Sequence, residues 1–239
     1  MRCFFDVFED PNAAGGMDKR KYAVLYLLFP AVGAVIGAAT LLWNMLVGAK
    51  LSGSLLFTAV LILIPVLITG GIHLDGLLDT ADALSSYKTK EEKLEILKDS
   101  HAGAFAIIIG ICWFVLDFGI YSEADAHTIG LLAIGFVISR TLSGLSLVSF
   151  RMAKNTGLAA TFSDMALKSR VRIVMICYYL IVCAGLLLYL DPLYGTAELI
   201  GALLVFFWYR HLSYENWRDH RRSGRILPSE LRTVYGSLR

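Results

Sequence analysis

Charge is scarce in this sequence: Asp, Glu, Lys and Arg make up only 18% of its 239 residues, where a soluble domain carries about 25%. The net charge of +2 by itself says little about nucleic-acid or acidic partners, and no nucleic-acid partner is expected. Cysteine is also sparse. Cys3, Cys112, Cys177 and Cys183 form no CxxC pair, and three of them lie in apolar runs, where Cys behaves as a small hydrophobe, so a disulfide framework is not expected. Nor is there a cleavable-leader pattern, because the first seventeen residues carry Asp6, Glu9 and Asp10 and lack an apolar centre.

What the chain has instead is apolar length. It is 56% hydrophobic with a mean hydropathy of +0.62, and the apolar residues come in blocks rather than as one face of a helix. Blocks of this kind are membrane spans. Six are expected, at about 22–47, 53–70, 104–121, 128–150, 172–190 and 197–213. They are expected to be helical, since every backbone amide in lipid must be satisfied within its own segment. The fold class is therefore an all-α polytopic membrane bundle. Gly33, Gly37, Gly110, Gly144 and Gly201 suit close helix contacts in such a bundle.

Charge alternates between the connecting segments. Lys19, Arg20 and Lys21 precede the first span; Lys88, Lys90, Lys93 and Lys98 follow the second; Arg151, Lys154, Lys168, Arg170 and Arg172 follow the fourth. The other short loops hold Lys50 with Glu123, Asp125 and Asp191. The positive-inside rule then puts both termini and the two long loops in the cytoplasm, with the protein in the cell (inner) membrane.

The most informative stretch is Gly70-Gly71-Ile72-His73-Leu74-Asp75-Gly76-Leu77-Leu78-Asp79-Thr80-Ala81-Asp82-Ala83-Leu84. Asp75, Asp79 and Asp82 fall at i, i+4 and i+7, which on a helix places three carboxylates on one face. Like charges so close repel unless a cation sits among them. Hard oxygen ligands suit Mg²⁺, which is commonly held by a few carboxylates together with substrate phosphates. A solvated acidic face is the plainer alternative. His73 reads either as an interfacial residue or as a substrate contact.

A second polar knot, Lys98-Asp99-Ser100-His101-Ala102-Gly103, stands before the third span. Lys98 suits a phosphate, Asp99 suits a metal shell, and Ser100 suits either a substrate contact or a helix cap. Between the knots, residues 89–98 predict an amphipathic surface helix starting at a Thr89 cap. Arg140 lies inside the fourth span and is a functional candidate by default, with a structural ion pair as the alternative. Asp117 raises the same question nearer a span end. Arg151, Lys154 and Asn155 sit in a loop that either binds a nucleotide or sets topology.

These motifs together resemble the cobalamin synthase (adenosylcobinamide-GDP ribazoletransferase) family: the carboxylate run, then Lys98-Asp99-Ser100-His101-Ala102-Gly103-Ala104-Phe105, Ser139-Arg140, Ala153-Lys154-Asn155 and Thr161-Phe162-Ser163-Asp164. The resemblance covers residues 18–216. It implies a Mg²⁺-dependent phosphotransferase. α-Ribazole or its 5′-phosphate would attack adenosylcobinamide-GDP, giving adenosylcobalamin or its phosphate and releasing GMP. Asp75, Asp79 and Asp82 would then be catalytic and, with Asp99, metal-binding. His73, Lys98, Ser100, Arg140, Arg151, Lys154 and Asn155 would contact substrate. The implied partners are these substrates and the bilayer, with homo-oligomers or other cobalamin-assembly enzymes left open.

Residues 1–17 and 217–239 depart from the family, which carries an Ile-Pro-x-Pro stretch near one end and a Gly-Gly-(Ile/Val)-(Thr/Asn)-Gly-Asp motif near the other. Codons exist for both segments that restore these motifs when read one base later. The expectation is that both ends are frame-displaced; a divergent tail is the alternative, and either reading allows an inactive copy. Two other lineages compete. A CDP-alcohol phosphotransferase wants Ala-Arg after its first Asp-Gly-x-x, whereas this chain runs Asp75-Gly76-Leu77-Leu78-Asp79-Thr80. A cation-coupled transporter wants acidic residues at the bilayer midplane and broken spans in matched halves.

Overall fold

A computed structural model describes residues 19–97, 99, 101–150, 168–189 and 192–216. The expectations for the segments 1–17 and 217–239, and for Lys98, Ser100, Arg151, Lys154 and Asn155, lie outside the described residues. The described chain is all helical, in eight helices: α1 Lys19–Leu51, α2 Leu55–Thr69, α3 Ile72–Ser85, α4 Lys90–Ile96, α5 Ala104–Ser122, α6 Ala126–Ser149, α7 Lys168–Tyr189 and α8 Pro192–Asn216.

Polar and apolar residues are distributed as a lipid solvent demands. Thr40, Asp117, Ser139, Arg140, Thr141, Ser143, Ser146 and Glu198 are buried, while Met45, Leu56, Leu67, Ile107, Val115, Ile181, Leu204 and Trp208 are exposed. Buried hydroxyls turn back on their own helices. Thr40 donates to the Ile36 carbonyl at 2.9 Å, Thr69 to Pro65 at 2.7 Å and Thr141 to Val137 at 2.8 Å. Each such bond satisfies a donor that lipid cannot. The chain is a multi-pass membrane protein.

α6 is the central helix, buried along most of its length and packed against α1, α7 and α8. Its contact with α1 is backbone to backbone. A Cβ at Gly33 would overlap the Phe136 carbonyl and the Val137 Cα, and one at Gly37 would overlap the Ala133 carbonyl. This Gly-x-x-x-Gly spacing brings two helix axes close, which is how bundles gain dispersion contact when no hydrophobic drive operates between helices.

The six expected spans correspond to α1, α2, α5, α6, α7 and α8, but the span count differs. Four described helices are long and apolar enough to cross a membrane, or five if the bent pair α2–α3 counts as one. α8 runs 25 residues but carries Glu198, Arg210 and His211 and is not among the four. α2 has only 15 residues, about 22 Å of rise against a core of about 30 Å. The expected span at 53–70 therefore does not cross alone.

The reason for its early end lies in Gly70 and Gly71. Both adopt positive φ, 62° and 76°, a region closed to most side chains. The Gly71 N–H donates to the Val66 carbonyl at 2.9 Å and the Gly70 N–H to Leu67 at 3.3 Å, the paired bonds of a Schellman stop. The chain then turns through 93° into α3, the carboxylate helix.

Candidate active site

Position on α3 decides what each motif carboxylate meets. The helix packs on α5, α4 and α2. Gly76, Leu77, Thr80 and Ala83 form its buried face, and Thr80 is satisfied by the Gly76 carbonyl at 2.8 Å. Asp75 is exposed on the first turn, and His73 and Asp79 are half-buried. The first acid of the i, i+4, i+7 set is thus open and the second partly so, where the other side of the helix is packed.

Asp82 behaves differently from the other two. Its carboxylate reaches the beginning of α5, where the Ala106 N–H donates to Asp82 Oδ1 at 3.4 Å. The N-cap of α5 is Gly103, which supplies no side-chain cap bond. A Cβ at Gly103 would overlap both Asp82 oxygens. Two turns further along α5, the Leu78 side chain lies 3.0 Å from the Cβ position of Gly110. The two polar motifs, separated in sequence by a whole helix, therefore form one surface.

That intervening helix is α4, which starts where Thr89 predicts but is shorter than the expected 89–98. Thr89 and Glu92 make a reciprocal capping box: the Thr89 N–H donates to Glu92 Oε2 at 3.0 Å, and the Glu92 N–H donates to Thr89 Oγ1 at 3.4 Å. The Thr89 N–H bond, then a bond from the Thr89 hydroxyl to the same Glu92 oxygen at 2.8 Å, hold the Glu92 carboxyl below the usual carboxylate range. Leu97 is buried with Ala83, and Leu84, Leu94 and Ile96 pack against the pair, clamping α4 to α3.

Asp99 is exposed and bonded locally. His101 Nδ1 lies 2.6 Å from Asp99 Oδ1, and the His101 backbone N–H donates to the same oxygen at 3.0 Å. The His101 ring, then its backbone N–H, hold the Asp99 carboxyl below its ordinary value. The expectation that Ser100 caps the next helix falls outside the described residues, and Asp82 supplies the side-chain bond at that helix start.

Arg140 is 2% exposed on α6. The principal neighbours of α6 are α1 and α7, so Arg140 and the carboxylates of α3 stand on helices that share no major interface. Asp117 on α5 is fully buried. Two residues to which the sequence reading gave no role stand out. His101 is the partner of Asp99, and its only sequence signal was the Asp-x-His spacing. Glu198 on α8 is 5% exposed, and its signal was an acid inside an apolar run.

Among the described residues, no group of three His, Cys, Asp or Glu is placed to hold a metal ion. Asp75 and Asp79, one turn apart, nonetheless fit an ion that brings other ligands with it. Mg²⁺ keeps several waters and is commonly bound through one or two carboxylates plus substrate phosphates, not in an all-protein cage.

A family model described as cobalamin-5-phosphate synthase matches residues 8–219. The chain belongs to that family. An adenosylcobinamide-GDP ribazoletransferase of Lachnoclostridium phytofermentans is 45% identical over 195 residues, covering 82% of this chain and 74% of that protein. One of Clostridium perfringens strain SM101 is 36% identical over 152 residues, covering 62% and 59%. One of Geobacillus sp. strain WCH70 is 33% identical over 162 residues, covering 65% and 62%. No solved structure matches. Membership in the synthase family sets aside the CDP-alcohol phosphotransferase and transporter readings.

Proposed function

We propose that this synthase-family chain joins α-ribazole, or its 5′-phosphate, to adenosylcobinamide-GDP. A free ribose hydroxyl of the ribazole, not the 5′-oxygen that carries the phosphate in the phosphorylated form, gives up its proton and forms a bond to the corrinoid-side phosphorus. The bond from that phosphorus to the GMP oxygen breaks, and GMP leaves. The products are adenosylcobalamin, or its phosphate, and GMP. The observation that carries this reading is the single surface made by the acidic side of α3 and the start of α5, within a chain whose relatives bear the ribazoletransferase name.

On that surface Asp75 is exposed and Asp79 half-buried, one turn apart. Two like charges at that spacing repel by about 0.2–0.5 kcal/mol, and a cation between them reduces that cost. A magnesium ion held by Asp75 and Asp79 would neutralise diphosphate charge when bound. The chain's own groups do the remaining work. A carboxylate of this set accepts the proton of the attacking hydroxyl. Lys98, Ser100 and His73 meet the phosphates, Arg151, Lys154 and Asn155 meet the nucleotide, and the buried Arg140 offsets charge deeper in the bundle. The positive-inside rule turns this surface to the cytoplasm of a cell whose inner membrane holds the protein.

The test is GMP release from adenosylcobinamide-GDP by membranes carrying the chain, with α-ribazole and Mg²⁺ supplied. Release that needs all three components supports the proposal. Equal release from membranes lacking the chain would sink it.

A further inference from the structure

We infer that Asp82 is a positioning residue: it caps α5 from outside that helix and so locks the two polar motifs together, with no contact to the reacting phosphate. The inference rests on the transferase reading for its activity arm only; its stability arm stands without it.

A helix leaves its first N–H groups without intrahelical partners, and a Ser, Thr, Asp or Asn at the N-cap normally accepts one of them. The N-cap of α5 is Gly103, with extended backbone (φ −79°, ψ 172°) and no side chain to offer. The carboxylate that accepts the Ala106 N–H at 3.4 Å comes from Asp82, 24 residues away on α3. Ala106 is the third residue of α5 and is buried, so its N–H sits where an N-cap side chain normally bonds.

The two positions are complementary in space. A Cβ at Gly103 would overlap Asp82 Oδ1 and Oδ2. Glycine at 103 is therefore what admits the carboxylate, and the carboxylate supplies the cap that glycine cannot. The bond also joins the end of the acidic helix to the segment carrying Asp99 and His101, which are bonded to each other two residues upstream of Gly103. Asp79 and Asp75, one and two turns from this anchor, are half-buried and exposed respectively on the same side of α3.

A cap and a metal ligand respond differently to one atom. Asn presents the same Oδ1 acceptor and caps as well as Asp, but it has lost the charge that a hard cation selects.

The experiment is a double-mutant cycle at positions 82 and 103 in the detergent-purified full chain, read first by thermal melting. Asp82→Ala is expected to lower the midpoint by about 2–4 °C, the loss of one cap in a chain of this size. Asp82→Asn should melt within about 1 °C of the parent. Gly103→Ala should melt below the parent, and its penalty should vanish in the Asp82→Ala background, where the overlapping atoms are gone. The activity arm measures GMP release against Mg²⁺ concentration, with Asp79→Asn as the inactive comparison. Asp82→Asn should keep at least about a third of parental turnover, with its Mg²⁺ midpoint unchanged, while Asp82→Ala loses about tenfold. Additive penalties at 82 and 103, or an Asn variant as impaired as Ala, would overturn the inference. So would an Asn variant with a shifted Mg²⁺ midpoint. If the parent releases no GMP, the transferase reading fails and the melting cycle alone decides the role of Asp82.

Discussion

Replacing Gly33 by alanine adds one carbon and tests the packing of the whole bundle. In an unobstructed helix interior the change should stabilise, since glycine costs about 1 kcal/mol relative to alanine there. At Gly33 the new Cβ meets the Phe136 carbonyl and the Val137 Cα of α6. Those are backbone atoms, and no rotamer change moves them aside. α1 must retreat from α6, and because this is the largest helix pair in the fold, the loss spreads along the seam. Overpacking of this kind costs about 1–3 kcal/mol, or several degrees at about 2–4 °C per kcal/mol for a chain of this length. The structure supplies its own controls: Gly119, Gly130 and Gly185 have nothing within 4 Å of a built Cβ. Thermal melting of the four single variants in one detergent separates the effects. Gly33→Ala should fall by several degrees while the three controls hold or rise slightly. If Gly33→Ala melts with the controls, α1 and α6 do not meet as described.

Other outcomes follow from the site and its flanks. Asp79→Asn should abolish GMP release while leaving membrane insertion, followed by fractionation, unchanged. Chelation with EDTA should remove the activity and added Mg²⁺ restore it, whereas Ca²⁺ should restore little, because its longer, looser coordination suits substrate phosphates less well. Gly71→Ala should destabilise by about 1–2 kcal/mol by melting, because φ of 76° is left-handed; open space around the residue makes backbone strain the only cause. For α4, the Glu92 carboxyl titrates below its ordinary value. Its stabilisation is therefore full above the unfolded carboxyl pKa and lost as pH falls through the folded one. Protection factors at the α4 amides, taken relative to the intrinsic exchange rate at each pH, should fall as pH drops through the acid range in which Glu92 takes up its proton, and Thr89→Ala should remove that pH dependence.

Much of the architecture was legible because it is local. The apolar blocks placed α5 at Ala104–Ser122 against an expected 104–121, and α6 at Ala126–Ser149 against 128–150. Thr89 announced its own cap, and the i, i+4, i+7 aspartates fell on one side of α3. The bend was half-written. The Gly70-Gly71 doublet marked a stop, but only the short length of α2 and the 93° turn show that α2 does not cross by itself. What could not be read were the contacts between distant residues. Asp82 looked like the third member of an acidic set, because spacing along one helix says nothing about the N-terminus of another helix packed beside it. Gly103 read only as the end of a polar knot until its missing side chain was seen to be the space for Asp82. Gly33 and Gly37 were marked as contact glycines, but their partner helix came only from the packing.

The most direct test of the central claim is to identify the product by mass spectrometry after membranes bearing the chain are incubated with adenosylcobinamide-GDP, α-ribazole 5′-phosphate and Mg²⁺. The account predicts adenosylcobalamin 5′-phosphate and GMP in equal amounts, with neither formed by the Asp79→Asn variant. Unchanged substrate under conditions where a curated relative such as that of Lachnoclostridium phytofermentans is active, or equal yield from Asp79→Asn, would contradict it.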